Sequence, residues 1–220
     1  MPTRRPGVVV AAAVALFVAL TVLVAIGVLD GLDNAVWHFT ERHDSAAGVM
    51  AARVLTDVLQ PPVDALVLLA GGVVLSLREQ RWRPVAVAVA VLVVVSAVVL
   101  GLKFAINRPL PHSHGVGRRG FPSGHTAAAA CFLGTLAVLL SDGRERMRRR
   151  LLGVVALLTL LVVLALVYAG YHWLTDTLAS LALSVAVLAA LGLETLWRVS
   201  PTSQQIQEQS LVRSRRPPRP

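Results

Sequence analysis

Charge and aromatic rings are scarce in this chain, and cysteine is almost missing. Of 220 residues only 15% are charged and 5% are aromatic, and the single cysteine is Cys131. One thiol excludes a disulfide framework and a cysteine metal cluster. So little charge, beside a hydrophobic share of 55%, excludes an ordinary soluble domain. Carboxylates are the rarer sign, with 12 Asp and Glu against 21 Lys and Arg and a formal net charge of +9. A basic patch on a soluble domain would suggest nucleic acid. Here the basic residues fall in short clusters between apolar runs, so no nucleic-acid partner is expected.

Those runs span about 8–29, 63–77, 85–106, 123–140, 151–171 and 175–197. Most approach the ~20 residues that cross a bilayer as a helix. The fold class expected is therefore all-α: a polytopic membrane protein built as a six-transmembrane-helix bundle over 1–199. Residues 200–220, rich in Gln, Ser, Arg and Pro, read as a disordered basic tail. The first run follows Arg4 and Arg5 and is too long for a cleaved signal core, so it reads as a retained helix. Between runs, 30–45 is a polar stretch, and 46–59 reads as a short surface helix with Arg53 and Asp57 spaced for an i,i+4 pair. Pro61-Pro62 then breaks the chain, and 141–150 is a connection holding five arginines.

Lys and Arg divide unevenly across this bundle, fifteen on the face with both termini and six on the other. Positive charge marks the cytoplasmic side, so both termini are expected inside and the loops after the first, third and fifth spans outside. The preference for Arg over Lys, with abundant Ala and Val, suggests a GC-rich bacterial genome, so the membrane expected is a bacterial plasma membrane. Oligomeric state has no signature in the sequence.

Four of the six outside cations, Lys103, Arg108, Arg118 and Arg119, precede Pro122-Ser123-Gly124-His125. Ser123 reads as an N-cap, and unpaired N–H groups behind it attract anions. Guanidinium and ammonium groups beside such a cap suit phosphate. On the same face stands His172, four residues before Asp176. A carboxylate at that spacing fixes one imidazole nitrogen and frees the other as a nucleophile. Each piece alone also reads blandly, as a helix cap, lipid anchors or an aromatic belt around Tyr171 and Trp173. A zinc reading of His112, His114, His125 and His172 rests on little more than His-x-His.

Taken together, these residues resemble the type 2 phosphatidic acid phosphatase superfamily of integral membrane lipid phosphatases. Its pattern is K-x6-R-P, then P-S-G-H, then S-R-x5-H-x3-D. Residues 122–125 match the second part, and His172 with Asp176 matches the end of the third. Lys103 and Pro111 fit the first, but Leu110 stands where its arginine belongs, and Ala165 and Leu166 stand in place of Ser-Arg. The resemblance implies that His172 attacks phosphorus while Asp176 orients it, and that His125 protonates the leaving oxygen and then activates water. Lys103, Ser123 and Gly124 would hold the phosphoryl oxygens, with Arg108, Arg118 or Arg119 as substitutes for the missing arginines. It also implies no cofactor or metal, a lipid phosphate or diphosphate substrate among membrane lipids, and an extracytoplasmic site. Two lost charge-assisted bonds, at about 1.5–3 kcal/mol each, leave open a member that has lost catalysis and binds or moves phospholipid.

Overall fold

The computed structural model describes residues 6–111, 119–141 and 143–199. The expected tail at 200–220, and with it Arg118, His112 and His114, lies outside the described residues. Helix α1 (Pro6–Ala25) is the first apolar run, ending earlier than expected because Gly27 turns the chain at φ +74°. The polar stretch after it is not a loop. It forms α2 (Asp30–His43), with Asp30 and Asp33 in its first turn and Arg42 and His43 in its last. That charge order complements the helix dipole and supports a helix that apolar periodicity does not reveal. In α3 (Ala46–Val58), Ser45 Oγ caps the Gly48 N–H at 3.1 Å, and Arg53 pairs with Asp57 at 3.8 Å, as the spacing predicts.

Pro61 and Pro62 open α4 (Pro61–Glu79), where a fixed φ suits the first helical turn. After α5 (Arg83–Ile106), the chain reverses at Asn107, left-handed at φ 48°. The fourth apolar run is one rod of three parts: α6 (Gly124–Ala128), a π-helical turn (Ala129–Leu133) and α7 (Gly134–Leu140). Helix α8 (Glu145–Tyr168) starts inside the arginine cluster expected to be a connection, with Glu145 bonded to Arg149 at 2.9 Å one turn on. Arg and Glu are good helix formers, so the helix extends past its apolar part. Helix α9 (Leu174–Val199) completes the described chain.

Among the described residues there is no strand, and five helical stretches are long and apolar enough to cross a membrane. They are Gly7–Ala25, Ala46–Glu79, Arg83–Ile106, Glu145–Tyr168 and Leu174–Gly192, with Gly124–Leu140 a shorter apolar helix. The short rod is the centre of the bundle, touched by α4, α5, α8 and α9. Its alanines Ala127 to Ala130 are all buried, and small side chains let four neighbours approach closely. Outward from it, Leu68, Val91, Val95 and Val99 of α4 and α5 fill the core against Phe132 and Leu183. Helix α1 packs on α9 and leaves half of its valines and leucines exposed, as a lipid-facing helix does.

Close approach depends on glycine between α4 and α5. A Cβ at Gly72 would stand 3.0 Å from Ala88 Cβ and 3.3 Å from the Pro84 carbonyl oxygen. Gly72→Leu is therefore expected to force the two helices apart and destabilise the protein by about 1–3 kcal/mol. Thermal unfolding in detergent, followed by circular dichroism, would show an unchanged midpoint if this contact does not matter.

Candidate active site

One end of the bundle gathers the polar groups that the apolar helices leave over. The last turn of α8 delivers His172 there. Gly170, left-handed at φ +65°, lets its N–H reach the Val167 carbonyl at 3.1 Å and the Tyr171 N–H reach the Leu166 carbonyl at 2.8 Å. These two bonds are a Schellman termination, and they turn the chain so that His172 sits between α8 and α9. Four residues on, the first turn of α9 places Asp176 fully buried, with its Oδ2 3.3 Å from His172 Nδ1. The same oxygen accepts the Trp173 N–H at 3.2 Å. With Nδ1 engaged, Nε2 is the nitrogen left for chemistry.

Gly120 completes the enclosure of this carboxylate. A Cβ there would lie 3.0 Å from Asp176 Oδ2 and 3.0 Å from Leu110 Cδ2, so only glycine passes so close. Lys103, in the last turn of α5, donates to the carbonyls of Arg119 at 2.6 Å and Gly120 at 3.3 Å and so fixes that loop. Ser123 caps α6 by accepting the Thr126 N–H at 3.4 Å. Its own N–H donates to the Asp176 carbonyl at 3.2 Å, tying the start of α6 to the start of α9. Gly124 follows beside Pro61, and His125 lies within electrostatic range of His172, Lys103 and Asp57. Lys103, His125, His172 and Asp176 thus come to one end of the molecule from four separate elements.

Arg108 takes a different position from a free phosphate ligand. Its Nη1 donates to Thr175 Oγ1 at 2.8 Å and Asp176 Oδ1 at 3.0 Å, and its Nη2 donates to Asp33 Oδ2 at 2.7 Å and Asp30 Oδ1 at 2.9 Å. Its side chain is only 9% exposed. Burial alone would lower the pKa of this guanidinium, but Asp176 and Asp33 outweigh burial and hold it above its ordinary value. Arg119 turns toward Asn107 Oδ1 at 3.1 Å and stacks its guanidinium over Phe104 at 3.8 Å. Leu166 is buried in an apolar cluster with Ala129 and Val162. Among the described residues, no three His, Cys, Asp or Glu gather as a metal site.

Asp30, Asp33 and Thr175 are the polar partners that sequence reasoning missed. Asp33 Oδ1 accepts the Thr175 N–H at 3.0 Å, and Oδ2 accepts the Thr175 hydroxyl as well. The available signal was carboxylates placed on the same face as the basic cluster.

A helical membrane protein with two histidines and a buried carboxylate at one end is the class these features define. The PAP2 superfamily model matches residues 81–199, more than half of the chain, and the protein belongs to that superfamily. Its fold is similar to that of a transmembrane PAP2-type phosphatidylglycerolphosphate phosphatase from Bacillus subtilis. The TM-score is 0.75 at 18% identity, over 88% of this chain and 98% of that one. No curated protein matches the chain.

Arg108 neutralises two carboxylates that are almost wholly buried, so Arg108→Ala is expected to destabilise the fold by about 3–5 kcal/mol. The exposed Arg53–Asp57 pair is the contrast, and Arg53→Ala should cost under about 1 kcal/mol. Equal unfolding midpoints for the two variants would contradict a buried structural role for Arg108.

Proposed function

We propose that the protein hydrolyses a lipid phosphate or diphosphate at the extracytoplasmic face of a bacterial plasma membrane, without a metal, through a phosphohistidine. The observation that carries this reading is the His172 Nδ1 to Asp176 Oδ2 contact at 3.3 Å, which leaves Nε2 available within electrostatic range of His125. Family membership supports phosphatase activity on a lipid phosphate. The charge asymmetry of the loops supports the extracytoplasmic face.

In the first step His172 Nε2 attacks phosphorus as the bond to the lipid oxygen breaks, and protonated His125 gives its proton to that oxygen. Asp176 stabilises the positive imidazole that results. In the second step water attacks phosphorus, His125 takes its proton, and the phosphorus–nitrogen electron pair returns to Nε2. Lys103, Ser123 and the Gly124 amide hold the phosphoryl oxygens. A site at one end of a membrane bundle suits a headgroup whose tail stays in the bilayer. Phosphatidylglycerolphosphate, for which the similar Bacillus subtilis phosphatase is named, is one such substrate.

A second reading is a member that binds or moves phospholipid without hydrolysing it. It is favoured by Leu110 and Leu166 at the arginine positions and by the engagement of Arg108 with carboxylates. Phosphate release from prenyl and glycerolipid phosphates in EDTA separates the two. The hydrolase reading expects turnover that falls to background in His172→Ala, and acid-labile label retained on protein in His125→Ala. Equal release by the native protein and His172→Ala would sink it. If grip is the weakness, Leu110→Arg is expected to raise kcat/KM by roughly tenfold to a hundredfold, one charge-assisted bond's worth.

A further inference from the structure

We infer that Asp33 is a positioning residue: it divides the Arg108 guanidinium between two carboxylates and thereby leaves one oxygen of Asp176 to His172. The inference deepens the reading of His172 as nucleophile and rests on it for its catalytic consequence. Asp33 lies in α2, outside the 81–199 span of the superfamily match.

The geometry around Asp176 has one adjustable member. Oδ2 is surrounded by the His172 ring, the Trp173 N–H and the close backbone of Gly120. Trp173 is fixed in turn, since its Nε1 donates to the Pro109 carbonyl at 2.8 Å and its ring lies 5.4 Å from the Arg108 guanidinium. Oδ1 receives one arm of Arg108, while the other arm goes to Asp33 and Asp30. A guanidinium beside a carboxylate prefers the fork arrangement, with both arms on both oxygens. Were the second arm of Arg108 released, the fork would take Oδ2 from His172.

Asp33, rather than Asp30, holds that arm in place. Asp30 is 56% exposed and makes its bond to Arg108 in competition with water. Asp33 is 1% exposed, and its two oxygens also accept the backbone N–H and the hydroxyl of Thr175, the residue before Asp176. It therefore sets the arm of Arg108 and the start of α9 together. Helix α2 contributes to the site in this way without touching substrate.

The test compares native protein, Asp33→Asn and Asp33→Asn/Arg108→Gln in detergent. Lipid phosphate turnover is measured, and histidine 15N spectra report the ring tautomer, with His172 assigned by its loss in His172→Gln. Asp33→Asn should lower kcat by roughly tenfold to a hundredfold with KM changed less than about threefold. It should also shift His172 away from the Nδ1-protonated tautomer. The double variant, which lacks the guanidinium that would fork onto Asp176, should recover that tautomer. An Asp33 that only stabilises the fold would lower the unfolding midpoint and leave the His172 tautomer and kcat per folded molecule unchanged, and that result overturns the inference. If native protein releases no phosphate, the hydrolase reading fails, and the tautomer comparison still decides the positioning role of Asp33.

Discussion

The buried carboxylate of Asp176 is the constraint around which the active end is arranged. A lone charge at 0% exposure in an apolar bundle is expensive, and it persists only where partners surround it. Its two oxygens accept from Arg108, Trp173 and the His172 ring, and its backbone carbonyl accepts from the Ser123 N–H at 3.2 Å and the Ser180 hydroxyl at 3.0 Å. One residue therefore ties α5, α6, α8 and α9 at the same point. Below it, Ser180 and Ser184 pass hydrogen bonds down α9 to Cys131 in the π-helical turn of the central rod. The lone cysteine is a weak donor in that polar line, buried among alanines.

Apolar run length was enough to read an all-α membrane fold, because crossing a bilayer demands about 20 consecutive apolar residues and little else. Reading failed where charge rather than apolarity made the helix. Helix α2 and the first turns of α8 are polar, and their helicity rests on dipole complementarity and i,i+4 pairs that a hydropathy reading passes over. The π-helical turn at 129–133 also has no sequence signal, since a run of alanines fits either winding.

At the active end, the same contrast appears between local and distant partners. His172 with Asp176, and Ser123 with Thr126, were legible because each pair is closed within one turn. Arg108 with Asp33 was not, because its members are 75 residues apart and are joined only by tertiary packing, in which α2 lies against α8 and α9. Sequence distance alone offered the 108 guanidinium to phosphate. The fold offers it to three carboxylates instead.

That redirection bears on how charge is distributed in the proposed reaction. Leu166 belongs to a packed apolar cluster, and Leu110 lies against Gly120, so neither motif position faces substrate with a cation. Arg119 is stacked on Phe104 and bonded to Asn107, away from the carboxylate cluster. Lys103 directs hydrogen bonds to two loop carbonyls. An ammonium has three donors, so one remains to meet a phosphoryl oxygen beside the amides at the start of α6. In the proposed reaction, transition-state charge would be balanced chiefly by Lys103, backbone N–H groups and the two histidines. Under the proposed reaction Arg108 would act one step back, on the carboxylate that meets the His172 ring. Under that proposal, a guanidinium used for orientation instead of grip would keep the nucleophile fixed at the expense of phosphate affinity, and substrate capture would fall more heavily on burial of the lipid tail.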